Sequence, residues 1–118
     1  MKKYTKAFKA LGDETRLRIL KILLHAKHEL CVCEISDSLR IPEYSVSRHM
    51  KELNNAGLVQ ERRDGRFIFF SICWDSTVFT KNILDAVDTI PSSARDINNL
   101  KKRVTLNSIR KNCTEKKE

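Results

Sequence analysis

A small, mostly α-helical domain carrying one β-hairpin is the fold class this sequence predicts, and three observations predict it. Two stretches, Cys31–Leu39 and Glu43–Ala56, hold apolar residues at helical spacing and are separated only by Arg40-Ile41-Pro42. Directly after them the apolar period becomes extended, in Leu58–Arg63 and Arg66–Ile72, with the turn signal Asp64-Gly65 between. Two thiols one residue apart, Cys31 and Cys33, stand at the start of the first of those helices. Two helices joined by a short turn and followed by a hairpin make a winged helix-turn-helix.

Each element has a local reason. Ala7, Phe8, Ala10 and Leu11 suit one face of a short helix beginning near Thr5. Gly12-Asp13 breaks it, and Asp13 is a good N-cap for the next helix. That second helix carries Leu17, Ile19, Leu20, Ile22, Leu23 and Leu24, too apolar for a free surface, so it is expected as core or dimer support. The third has Val32, Ile35 and Leu39 in register, and Pro42 disfavours helix at Ile41, forcing a turn. Val46, Met50 and Leu53 line one face of the fourth, which Gly57 ends in the C-cap manner. Beyond the hairpin, Val78, Phe79, Ile83, Leu84, Val87 and Ile90 read as a fifth, amphipathic helix stopped by Pro91-Ser92-Ser93. A further C-terminal helix is expected from Ala94 to about Asn112. The expected organisation is therefore a winged helix-turn-helix domain with its dimerisation helices at 1–90, then a basic, partly helical extension at 91–118.

Composition narrows the function. With 118 residues and 41% apolar content the chain can bury one modest core, and dimerisation would be unsurprising. No run approaches the roughly 20 apolar residues that span a bilayer. Met1-Lys2-Lys3-Tyr4-Thr5-Lys6 leads into an amphipathic pattern and not a signal-peptide core, so a cytoplasmic protein with no membrane partner is expected. The balance of 23 basic against 15 acidic residues, net +8, suits a polyanion, and nucleic acid is the usual one. Residues 101–118 hold seven Lys/Arg against Glu115 and Glu118; this tail either touches DNA or is a solvated end. The four cysteines are too sparse for a secreted disulfide scaffold and lack the two close pairs of a structural zinc finger. An enzyme is not expected: no Cys-x-x-Cys and no phosphate loop occur, and glycine numbers three.

On these residues the chain resembles the ArsR/SmtB family of bacterial and archaeal metal-sensing repressors. Leu11–Leu20 resembles the family's opening helices, and Glu29-Leu30-Cys31-Val32-Cys33-Glu34 its arsenic and cadmium/lead metal box. Ser45–Leu53 with Ala56-Gly57-Leu58 resembles its recognition helix and exit, and Arg62–Arg66 its wing. The match covers roughly Phe8 to Ile72 in order and spacing. The resemblance implies a homodimer whose first and last helices form the interface. It also implies binding to an imperfect inverted repeat of operator DNA, and release when an inducer binds.

In a helix-turn-helix the second helix presents its N-terminal part to base edges in the major groove. Tyr44, Ser45, Ser47, Arg48 and His49 are the residues expected there, with Lys51 positioning the backbone. Arg62, Arg63 and Arg66 flank the hairpin tip and are expected to track phosphates or the minor groove.

The thiols pose a geometric problem. Cysteines at i and i+2 point about 200° apart on a regular helix, so chelating one ion requires local unwinding or a site at the helix end. A helix N-terminus also favours thiolate. Soft thiolates select thiophilic ions, and As(III) or Sb(III) are expected as inducers, with Cd(II) or Pb(II) as the alternative; no permanent cofactor is expected. A redox or polysulfide response of the same thiols is a second alternative. The arsenic-type box often carries a third cysteine where this chain has Ser36, and the cadmium/lead type draws cysteines from an N-terminal arm that has none here. Cys113 is then the candidate third sulfur, while Cys73 is expected to pack in the core.

Overall fold

The computed structural model describes residues 1–74 and 77–105. It runs α1 (Lys2–Leu11), α2 (Glu14–Ala26), β1 (Leu30–Cys31), α3 (Val32–Leu39), α4 (Glu43–Asn55), β2 (Val59–Asp64), β3 (Phe67–Ile72), α5 (Val78–Asp88) and α6 (Ala94–Thr105). The winged helix-turn-helix is thus present, with one strand and one helical turn more than the sequence pattern revealed. Helix α1 begins three residues before Thr5, because its first turn is made of exposed lysines that propagate a helix without contributing to an apolar period.

Helix α2 is the centre of the core. Ile19, Leu20, Ile22 and Leu23 are all buried, and Asp13 caps the helix by accepting the Arg16 amide at 3.0 Å. Around it gather Ile35 and Leu39 of α3, Val46, Met50 and Leu53 of α4, Phe70 and Ile72 of β3, and Leu84 of α5. The exit from α4 is a Schellman motif: Leu58 N–H reaches Leu53 carbonyl at 3.1 Å and Gly57 N–H reaches Asn54 carbonyl at 3.0 Å. That motif needs a left-handed residue, and Gly57 takes φ 77°.

The hairpin turn lies one residue later than expected. Asp64 pairs with Phe67, so Gly65 and Arg66 form the two-residue loop. Gly65 has φ 65° and Arg66 does not share the positive φ, which is the pattern of a turn with glycine at its first central position. Strand β1 is the element the sequence did not show. It pairs antiparallel with β3, Leu30 opposite Phe70 and Cys31 opposite Phe69, giving the sheet order β1-β3-β2.

Helix α6 starts at Ala94 as expected, with Ser93 Oγ accepting the Asp96 amide. It packs on α2 and α3, and Leu100 is buried in the same core cluster. Asp96, 3% exposed, receives a bidentate pair from Arg18 at 2.9 Å, and Arg18 also donates to the Leu39 carbonyl. At least its first part therefore belongs to the packed domain and is not an appendage. The expected continuation to Asn112 and the tail from 106 onward, Cys113 included, lie outside the described residues.

Candidate functional site

Strand β1 and helix α3 meet at the thiols. Cys31 is both the last residue of β1 and the N-cap of α3, with extended backbone (φ −82°, ψ 161°). Its amide donates to Glu34 Oε1 at 2.9 Å, one half of a capping box that turns the chain from strand into helix. Because Cys31 precedes the first helical residue, the 200° divergence of a regular helix does not apply. Both cysteines instead border one shallow cavity, near enough to shift each other's ionisation. Cys31 thus lies at the helix end and only Cys33 within the helix.

The pair is electrically asymmetric. The bond from Cys31 pushes Cys33 down to about 7, burial opposes this, and the Arg103 guanidinium assists it. Cys31 is pushed up, first by the same hydrogen bond and then by burial. Near neutral pH Cys33 is thus about half thiolate beside a protonated Cys31. Arg103 comes from α6: its Nη2 lies 3.8 Å from Cys33 Sγ and its Nε donates to Asp37 Oδ2 at 2.9 Å. The sequence reading missed Arg103, since it sits 70 residues from Cys33 in a run of basic residues that looks like a solvated face. The Asn99 amide adds a bond from α6 to the Ser38 carbonyl of α3.

The thiols open on a shallow cavity of about 320 Å³ whose other walls include Glu43 and Ser47 of α4 and Arg66 and Phe67 of the wing. Two residues expected at DNA, Ser47 and Arg66, therefore stand beside the sulfurs. Among the described residues no cluster of three or more His, Cys, Asp or Glu side chains is arranged to hold an ion. Cys73, half-buried just past β3, lies four residues beyond Phe69, the partner of Cys31, or roughly 13 Å along a strand.

The remaining expected residues divide into two groups. Tyr44, Ser47, Arg48 and Lys51 are exposed on α4, opposite the buried Val46, Met50 and Leu53, and Ser45 is half-buried. Arg63 and Arg66 are exposed on the wing, Arg63 near Glu61 at 3.3 Å. His49 is turned inward: its side chain is 15% exposed and Nδ1 lies 4.0 Å from Asp13 Oδ1, so the ring braces α4 against the cap of α2. Arg62 is turned back as well, donating through Nη2 and Nε to the two oxygens of Glu29 at 2.6 and 3.0 Å.

Comparison with known proteins agrees with this fold. Residues 13–61 match the family model described as bacterial regulatory protein, arsR family. An uncharacterized HTH-type transcriptional regulator of Methanocaldococcus jannaschii is 42% identical over 93 residues, covering 76% of this chain and all of that one. The arsenic resistance transcriptional regulator ArsR1 of Pseudomonas putida is 37% identical over 65 residues, 55% of this chain and 50% of that one. Against this latter relative the chain spans about half the length. The solution structure of a homodimeric winged helix-turn-helix DNA-binding domain from Mycobacterium bovis superposes with a TM-score of 0.62 at 26% identity, covering 73% of this chain and 75% of that one. Among the described residues no helix is long and apolar enough to cross a membrane. A recognition helix, a wing and a match along the whole of a close relative together place this chain in the arsR family of winged helix-turn-helix transcriptional regulators.

Proposed function

We propose that this repressor binds operator DNA as a homodimer and leaves it when a thiophilic ion, As(III) or Sb(III), binds Cys31 and Cys33. The observation that carries the reading is that both cysteines, Cys31 at the N-cap of α3, border one cavity shared with Ser47 and Arg66. A ligand seated there touches the elements that would face DNA, so sensing and release need no long path. Two sulfurs suit a trivalent metalloid that completes its coordination with an oxygen or carbon group. Cd(II) or Pb(II) would draw on a third sulfur, and Cys113 is the candidate for it.

On the DNA side, Tyr44, Ser45, Ser47 and Arg48 would address base edges, with Lys51, Arg63 and Arg66 on the backbone. Dimerisation would use α1 and α5. Phe8 is 58% exposed and Tyr4 43%, and both pack edge-on against Phe79 at centroid distances of 5.7 and 4.8 Å. An aromatic face of this kind on a small protein marks an interface. The similarity to the homodimeric Mycobacterium bovis domain supports it. The asymmetric thiol pair also favours a second reading, an oxidant or polysulfide converting the Cys33 thiolate.

Serine at Cys31 or Cys33 tests the site. Each variant is expected to keep operator affinity and lose the response to arsenite. Full release in the double serine variant would remove these sulfurs from the mechanism.

A further inference from the structure

We propose that Arg62 is a positioning residue that couples the thiol pair to the wing through Glu29, and not a DNA contact; this rests on Cys31 and Cys33 being the inducer site. Cys31, Phe69 and Arg62 occupy one row across the three strands, Cys31 paired with Phe69 and Phe69 with Arg62. Residues directly opposite in an antiparallel sheet share a face, so movement of one is felt by the next. The Arg62 guanidinium lies over the Phe69 ring at 4.6 Å, covering it, while its edge grips Glu29, the residue just before β1. Its remaining nitrogen, Nη1, is 3.8 Å from Asp64 Oδ2, beside the hairpin loop.

The edge of this guanidinium formed by Nε and Nη2 is therefore engaged by Glu29, and its face by Phe69. Reaching a phosphate would break a two-point carboxylate bond and uncover an aromatic ring. Isolated surface ion pairs contribute little, but planar bidentate geometry combined with stacking is where arginine is not replaceable by lysine. The cavity that both thiols border makes a direct demand on this row. Seating an ion between Cys31 and Cys33 fixes the end of β1, and Glu29 passes the adjustment to Arg62 and so to the hairpin carrying Arg63 and Arg66.

The test uses the reduced full-length protein and a fluorescent duplex that it selects from a random pool, with arsenite as the probe. Arg62→Met, Glu29→Gln and the double variant are compared with the parent. Each variant is expected to bind the duplex within about twofold of the parent with an unchanged salt slope, since no phosphate contact is lost. Arsenite uptake, followed by sulfur-to-arsenic absorption, is expected to be unchanged. The factor by which arsenite weakens DNA binding, typically about 5–150 for coupled sites, should fall about fivefold or more in each single variant and no further in the double. Arg62→Lys should not restore it. An undiminished release factor in Arg62→Met and Glu29→Gln overturns the proposal. So does a loss of DNA affinity confined to Arg62→Met with the salt slope reduced by about 1, the mark of a phosphate contact. If the parent takes up no arsenite or keeps its DNA when loaded, the inducer site itself is wrong and the coupling falls with it.

Discussion

Replacing Arg103 with glutamine leaves a shorter polar side chain and removes the charge that helix α6 brings to Cys33. The distance from Nη2 to Sγ is 3.8 Å. Opposite unit charges at that separation attract by about 1 kcal/mol in water and several times more in a dry interior. Cys33 is half-buried and the Arg103 side chain 12% exposed, so the attraction exceeds the figure for water, and about 1.4 kcal/mol of it corresponds to one pKa unit. The stronger influence, the bond from Cys31, stays in place. The Cys33 midpoint should therefore climb from about 7 part of the way towards the ordinary 9.0. At pH 7 the thiolate fraction would drop from about half to about a tenth, slowing alkylation about fivefold. The assay is the pH dependence of iodoacetamide labelling at the Cys33 peptide, resolved by mass spectrometry from the other cysteines. An unchanged midpoint in Arg103→Gln would refute the claim that α6 tunes this thiol. The same linkage has a sign in stability. Cys33 ionises more readily in the folded chain than in the unfolded one, so its contribution is fully present above about 9 and fades as pH falls through about 7.

Two further outcomes follow from the packing. Phe8→Glu places a charge on the α1–α5 aromatic face and is expected to shift the protein to monomer in sedimentation and to weaken operator binding; an intact dimer would exclude that face as the interface. Leu100→Ala removes a buried side chain from the shared core and should cost about 2–5 kcal/mol in urea unfolding, whereas a helix that merely trails from the domain would show almost no loss.

Much of the fold was legible because its signals are local and redundant. Asp13 before an apolar run, Pro42 after a short helix, and Gly57 where a left-handed residue is needed each fix a boundary through their own backbone chemistry. Strand β1 was not legible: two residues carry no period, and their pairing with β3 is a tertiary choice made nearly forty residues away. The hairpin loop slipped by one because Asp64-Gly65 and Gly65-Arg66 are both acceptable turns locally, and pairing of Asp64 with Phe67 decides between them. The thiol pair was found from sequence but its geometry was not. Whether Cys31 lies inside the helix or caps it depends on Glu34 reaching back to the Cys31 amide. Basic residues misled in a consistent way. Arg62 and Arg103 read as members of positive patches, yet each is committed to an acidic partner, Glu29 or Asp37, that is remote in sequence.

The most direct test of the account is anisotropy of a labelled operator duplex bound by the reduced protein while arsenite, antimonite, cadmium, lead and a polysulfide are titrated separately. The account predicts release by arsenite or antimonite at about one equivalent per chain. Retention of the duplex at saturating arsenite and antimonite would contradict it, whichever of the other agents then released the DNA.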